Sequence, residues 1–318
     1  MKSRGVMACS QTPGPGSLPE QQDDAGPVSI TAIVTAWRRL DELLHCLGVI
    51  ISAKPPPAEV LVHLDAGSSI NPAVVCARFP GVRFISSESP VGPGGGRTKL
   101  IHAASNELVA SFDDDSFPDH MDFFAQAVMK AMQHPEAAIL AAVIVENEQQ
   151  FVEAKENDLR VRDFVGCGCV YRRSAFMRTN GYVPVPLAYG VEEVDLAIRL
   201  HDIGAAIVRV PSLKVRHMVQ YAKYEDPAVT SASIANIALL AFLRYPLVLW
   251  PLGALQCIRR AIWLFSRGRW RGILEGFLVM PRHLRKYAAH RSPLSSTSIL
   301  SFFLGRRSVR HGAEPALV

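Results

Sequence analysis

The chain has 318 residues, with 49% hydrophobic and 20% charged side chains, which excludes a disordered or fibrous protein and allows one large folded domain with an appendage. The net charge of +5 hides an asymmetry: residues 232–318 hold 13 Lys/Arg against 2 Asp/Glu, whereas residues 1–231 hold 21 against 27. A basic, apolar end on a mildly acidic body points that end at an anionic surface. Nucleic acid could be that surface, but the aliphatic and Trp content suits anionic lipid better, so lipid and no nucleic acid is the expected partner.

Residues 1–27, rich in Gly, Pro, Gln and Asp, have no apolar run of the kind a signal peptide needs, and are expected to be disordered. Val28 to Thr35 is a short β-rich run, and Arg38 to Ile51 carries Leu40, Leu43, Leu44 and Leu47 on one helical face. Lys54-Pro55-Pro56-Pro57 stops that helix. Glu59 to Leu64 is a second strand ending at Asp65, followed by a helix near 73–78 and a third strand at 82–86. A Gly-rich loop, Val91 to Gly96, leads into a helix from Arg97 to about Asn106, and Glu107 to Phe112 forms a fourth strand that runs into Asp113-Asp114-Asp115. Further on come a helix (120–133), strands (138–145 and 165–172), helices (173–180 and 192–203) and short strands at 207–210 and 214–216. Strands alternating with helices at this spacing predict an α/β, Rossmann-like sheet with parallel right-handed crossovers, and ligands sit at the carboxyl ends of such strands.

Asp65 and the Asp113–Asp115 cluster both fall at strand ends. Three consecutive acids after an apolar strand must be neutralised or must hold a cation. A hard divalent ion, Mn²⁺ or Mg²⁺, prefers one or two carboxylates together with phosphate oxygens and water. The three acids alone also fit an exposed turn in which Asp115-Ser116 caps the next helix. His217 closes a second apolar strand; a neutral imidazole there is a suitable further donor, and a packed histidine is the alternative. Glu192, Glu193 and Asp195 open a helix, where acids favour the dipole, and Glu193 is also placed to act as a general base. Asp195 and Arg199, four residues apart, can pair on the helix. The run Gly92–Gly96 followed by Arg97 suits a phosphate or a plain connector.

Together these residues resemble a family 2 glycosyltransferase of the GT-A fold. The resemblance rests on Thr35-Ala36-Trp37, Asp65-Ala66-Gly67-Ser68, Arg97, Phe112-Asp113-Asp114-Asp115 (a DxD motif), Gly168 to Arg173, Gly181-Tyr182, Tyr189 to Arg199 and His217, in the family's order over about residues 28–220. It implies an inverting transfer from a nucleotide diphosphate sugar to a glycan or lipid-linked acceptor. Thr35, Asp65, Arg97, Asp113 and Asp114 would face the donor, Asp115 and His217 the metal, and Glu192 and Asp195 the acceptor side, with Glu193 as base. The chain departs from the pattern at Ala66, which replaces a second acid or Asn, at Arg38, where Asn is common, and at Glu193, where Asp is commoner. It also lacks Gln-x-x-Arg-Trp, which argues against a processive polysaccharide synthase. A sugar nucleotidyltransferase and a non-catalytic membrane scaffold with the same fold are the alternatives.

In the tail, Ile234 to Cys257 is apolar but interrupted by Arg244, Pro246 and Pro251, marginal for a span. Arg259, Arg260, Arg267, Arg269 and Arg271 interleave with Trp263, Leu264, Phe265 and Trp270, as in an interfacial helix. The expected organisation is therefore a catalytic domain over 28–231, a membrane-associating helical region over 232–305 and a flexible end at 306–318. The six cysteines read as reduced thiols, which places the protein in the cytoplasm, peripheral on the inner face of the membrane.

Overall fold

The computed structural model describes residues 7–8, 27–147, 157–187, 191–219 and 226–305. The expected tail at 306–318, Tyr189 and most of the first 27 residues lie outside them. The elements in chain order are β1 (Met7–Ala8), β2 (Val28–Ala36), α1 (Leu40–Ile51), β3 (Pro57–Leu64), α2 (Pro72–Arg78), β4 (Arg83–Ser86), α3 (Gly92–Ala103), β5 (Leu108–Asp113), β6 (Ser116–Pro118), α4 (Phe123–Gln133), β7 (Ala137–Glu146), β8 (Leu159–Val161), β9 (Cys169–Arg172), α5 (Arg173–Met177), α6 (Glu192–Asp202), β10 (Ala206–His217), α7 (Pro227–Arg244), α8 (Trp250–Ser266), α9 (Ile273–Lys286) and α10 (Ser296–Leu304).

The strands form one mixed sheet in the order β1-β4-β3-β2-β5-β9-β7-β10-β6, with β8 pairing β10. The run from β4 to β5 is parallel, as the βαβ spacing demands. Its central strands read as near-continuous apolar runs because both faces are covered. One face carries a cluster joining Ile30, Val62 and Phe112 to Leu43 and Leu47 of α1 and to Phe123 and Phe124 of α4. The other joins Ile33, Val109 and Ile139 to α3, α6 and, unexpectedly, to Ile237, Leu240 and Ala241 of α7.

Several expectations need correction. The glycine run is not a loop, because α3 begins at Gly92 and takes in the whole run. Tertiary contact overrides the poor helix propensity of glycine here. Gly92 has φ +70, and a Cβ on it would lie 2.2 Å from the Val185 carbonyl oxygen, so only glycine fits. The strand expected over 165–172 is confined to β9, leaving Gly166 to Gly168 in a turn. The two short strands near 207–216 are one strand, β10, with an irregular register between Val210 and Lys214. Met7 and Ala8, inside the segment expected to be disordered, pair antiparallel with β4.

Cys76 is disulfide-bonded, which removes the thiol argument for a reducing compartment. Cys46, Cys167, Cys169 and Cys257 are free and buried. The boundary placed at 231 falls inside α7, and Ile234–Cys257 breaks between α7 and α8 at Tyr245-Pro246, beside the interruptions noted in the sequence.

Candidate active site

Parallel pairing places Thr35 of β2 directly beside Asp113 of β5. The Thr35 hydroxyl donates to Asp113 Oδ1 at 2.5 Å, and Arg97 Nη2 donates to the same oxygen at 2.5 Å. Arg97 is 1% exposed, an expensive place for a cation unless it is fully paired. Its Nε donates to the Ser111 hydroxyl at 3.2 Å and its Nη1 to Glu192 at 3.3 Å. Arg97 therefore ties the end of β5 to the start of α6. Burial opposes its charge, but Asp113 and Glu192 outweigh that and hold its pKa well above the usual arginine range.

Asp114 and Asp115 turn inward and are each 3% exposed. One guanidinium, Arg39, donates to both. Asp115 also lies 3.3 Å from His217 Nε2, and the Met218 amide donates to the Asp115 carbonyl at 2.8 Å. The two residues whose separation tests the metal reading are thus adjacent, because β10 ends beside the turn after β5. Burial alone would raise Asp115, yet His217 and Arg39 hold its pKa well below the usual carboxylate range. For Asp114 burial wins, and its pKa rises to about 6.

Glu193 sits one residue into α6 and accepts from the Gly166 amide at 3.2 Å. A Cβ on Gly166 would lie 2.9 Å from Arg97 Cζ and 3.1 Å from Glu193 Oε1, so the bare backbone is what admits both side chains. Glu192 is buried, accepting from the Gly94 amide at 3.1 Å as well as from Arg97. Desolvation, helped by the neighbouring Glu193, pushes its pKa up to about 8. The acids at the end of β5 and the Glu192–Glu193 pair at the start of α6 are therefore joined through Arg97.

The model for glycosyl transferase family 2 matches residues 31–164, and that for the N-terminal domain of galactosyltransferase matches 149–223. Between them they take in every one of these site residues. The family 2 match, which covers somewhat less than half of the chain, supports its reading as a family 2 glycosyltransferase.

The chain is 31% identical over 87 residues to the succinoglycan biosynthesis protein ExoO of Rhizobium meliloti (strain 1021), a match covering 27% of the chain and 25% of that relative. The chain thus spans only about a quarter of the curated relative it matches. Its fold is similar to that of the mannosyltransferase PcManGT from Pyrobaculum calidifontis, solved with GDP-Man and Mn²⁺, at 15% identity and a TM-score of 0.53, covering 89% of this chain and 81% of that one. It is also similar to GalNAc-T7, solved with UDP, GalNAc and Mn²⁺, at 12% identity and a TM-score of 0.54, covering 68% and 48%. These likenesses identify the fold as GT-A.

Three of the expected donor and acceptor residues are bonded within the chain itself. Asp65 accepts from the amides of Ala66, Val91 and Gly92 at 2.8, 3.0 and 2.9 Å, which fixes the entry to α3. Asp114 is taken by Arg39. Asp195, expected on the acceptor side, is 5% exposed and is held by Arg199 Nη2 and Arg244 Nε at 2.5 Å each.

Arg39 was missed by sequence reasoning. The signal was present, since three acids behind an apolar strand need a cation and two arginines follow Trp37. Arg38, which drew notice instead, stacks on Trp37 at 3.9 Å. Ser111, Gly166 and Arg244 were also missed. For them the sequence offers no signal, because each acts through a contact that only the fold creates.

The described residues include no group of three His, Cys, Asp or Glu side chains placed to hold a metal ion. Asp115 and His217 supply one carboxylate and one imidazole side by side. That pair would supply two ligands to a divalent ion that takes the rest from a diphosphate and water, provided Arg39 releases Asp115.

Proposed function

We propose that this chain is an inverting, metal-dependent glycosyltransferase that moves a sugar from a nucleotide diphosphate donor to an acceptor hydroxyl. The observation that supports it best is Arg97, buried and joined at once to Asp113 at the end of β5 and to Glu192 beside Glu193. One side chain holds the two halves of a displacement site in fixed relation, the kind of preorganisation that proximity catalysis requires.

Thr35 and Arg97 fix Asp113 at the mouth of β5, where it can take the donor's sugar or ribose hydroxyls. Asp115 and His217 would hold Mn²⁺ or Mg²⁺ against the diphosphate, and the ion would offset the charge that develops on the leaving group. Glu193 accepts the proton of the acceptor hydroxyl. That oxygen attacks the anomeric carbon from the face opposite the diphosphate, the carbon–oxygen bond to the diphosphate breaks, and the configuration inverts. The Gly166 amide donates to one Glu193 oxygen and so orients the other. The acceptor is a glycan or a lipid-linked sugar, and the protein works at an anionic membrane surface, a reading supported by the basic composition after residue 232.

The test screens nucleotide diphosphate sugars by thermal shift with and without Mn²⁺, where the correct donor raises the melting temperature by mass action. Asp115→Ala should abolish the Mn²⁺-dependent part of that shift together with transfer. Glu193→Gln should keep the donor shift and lose roughly 10²- to 10⁴-fold in transfer rate. Normal turnover by Glu193→Gln would remove it as the base.

A further inference from the structure

We propose that the outward sides of α8 and α9 form the surface that docks on anionic lipid, with α7 as the rigid bed beneath them. The proposal rests on the membrane reading above and says which residues make the contact. Along α8, Gly253, Cys257, Arg260 and Leu264 are buried at spacings of four, three and four, so one helical face is already occupied. A Cβ on Gly253 would lie 2.4 Å from Ala241 Cβ of α7, which measures how closely the two helices are pressed together. In α9, Gly276 sits equally close to α7, its would-be Cβ 2.9 Å from the Ser231 carbonyl oxygen and 3.1 Å from Ile234 Cβ.

With the inner faces filled, the remaining apolar residues point outward. Leu255, Ile258, Ile262 and Phe265 recur at three, four and three along α8 and are 59%, 50%, 64% and 69% exposed. In α9, Leu274 and Leu278, one turn apart, are 72% and 71% exposed. An apolar stripe of this size is more than the scattered surface leucines of an ordinary soluble protein. Charge identifies the occupant: between Leu247 and Lys286 the chain has eight Lys/Arg and one acid, Glu275. Arg267 stacks on Trp263 at 5.6 Å, and Arg271 on Trp270 at 5.4 Å. An apolar stripe flanked by arginines and tryptophans matches the acyl boundary and phosphate layer of an anionic bilayer. The exposed Arg259, beside Ile258 in the middle of α8, favours a helix lying in the interface over one that crosses the core.

The full-length protein is sedimented with vesicles of phosphatidylcholine alone and of phosphatidylcholine with phosphatidylglycerol. The parent should bind the anionic vesicles, less so in high salt. Ile262→Glu combined with Phe265→Glu should lower that binding by roughly tenfold or more, with thermal stability and nucleotide-sugar hydrolysis unchanged. Arg259→Glu with Arg271→Glu should weaken binding to anionic vesicles while leaving the apolar stripe intact. If the parent binds and the Ile262/Phe265 variant binds equally well, the docking face is wrong while the membrane reading stands. If the parent binds neither vesicle, the membrane reading itself fails. If the parent is instead a dimer that this variant splits, a second copy covers the face and the proposal is overturned.

Discussion

α7 and α8 are nearly equal in length and similarly rich in apolar residues, and windows over Pro227–Arg244 and Leu247–Ser266 are both long and apolar enough to cross a membrane. Yet 72% of the first window is buried inside the protein and only 22% of the second. The difference lies in what each helix packs against. α7 lies against the sheet and α6, placing Ile237 and Leu240 in the same cluster as Val109 and Leu196. α8 lies on the outside of α7. Hydropathy thus reports that a helix has apolar surface to bury, and neighbours decide whether protein or lipid buries it.

The largest effect should come from Arg244→Met, which cuts the tie from α7 to α6. It leaves the buried Asp195 with Arg199 alone, and breaking a buried pair costs about 3–5 kcal/mol. Chemical denaturation of parent and variant would measure it, and a change within error would mean that α7 is not fastened to α6 through this pair. Acid sharpens the same contrast. Burial alone would raise Asp195, but Arg199 and Arg244 hold its pKa below the ordinary value. Its contribution is therefore complete above the unfolded value of about 3.9 and fades as the pH falls below it. The gap between parent and Arg244→Met should narrow below about pH 4, and a gap that stays constant would count against a charged Asp195 as its source. The smallest effect belongs to α8: Ile262→Ser should stay within about 0.5 kcal/mol of the parent, because Ile262 leaves no cavity behind. A loss of several kcal/mol would show that the outer stripe is packed after all.

The parallel half of the fold was legible in the sequence because buried parallel strands write themselves as short apolar runs at helix-spaced intervals. Asp113, Asp115 and His217 could be placed for the same reason, since each ends such a run. What could not be read was which residues neutralise or support them. Arg39 lies 76 residues from Asp115, and Arg244 lies 49 from Asp195. The glycine run misled for a related reason. Taken alone it disfavours helix, but the approach of the Val185 carbonyl and the Glu192 carboxylate requires small residues on a helix start.

Matched family sequence stops at residue 223 and α7 begins at Pro227. A fragment trimmed to the matched region would therefore expose the side of α6 and the sheet that Ile237 and Leu240 cover, and would strip Asp195 of one of its two guanidinium partners. Such a fragment would be prone to aggregate through that bared apolar surface. Any change in its partitioning between supernatant and pellet would then be mistaken for information about lipid attachment.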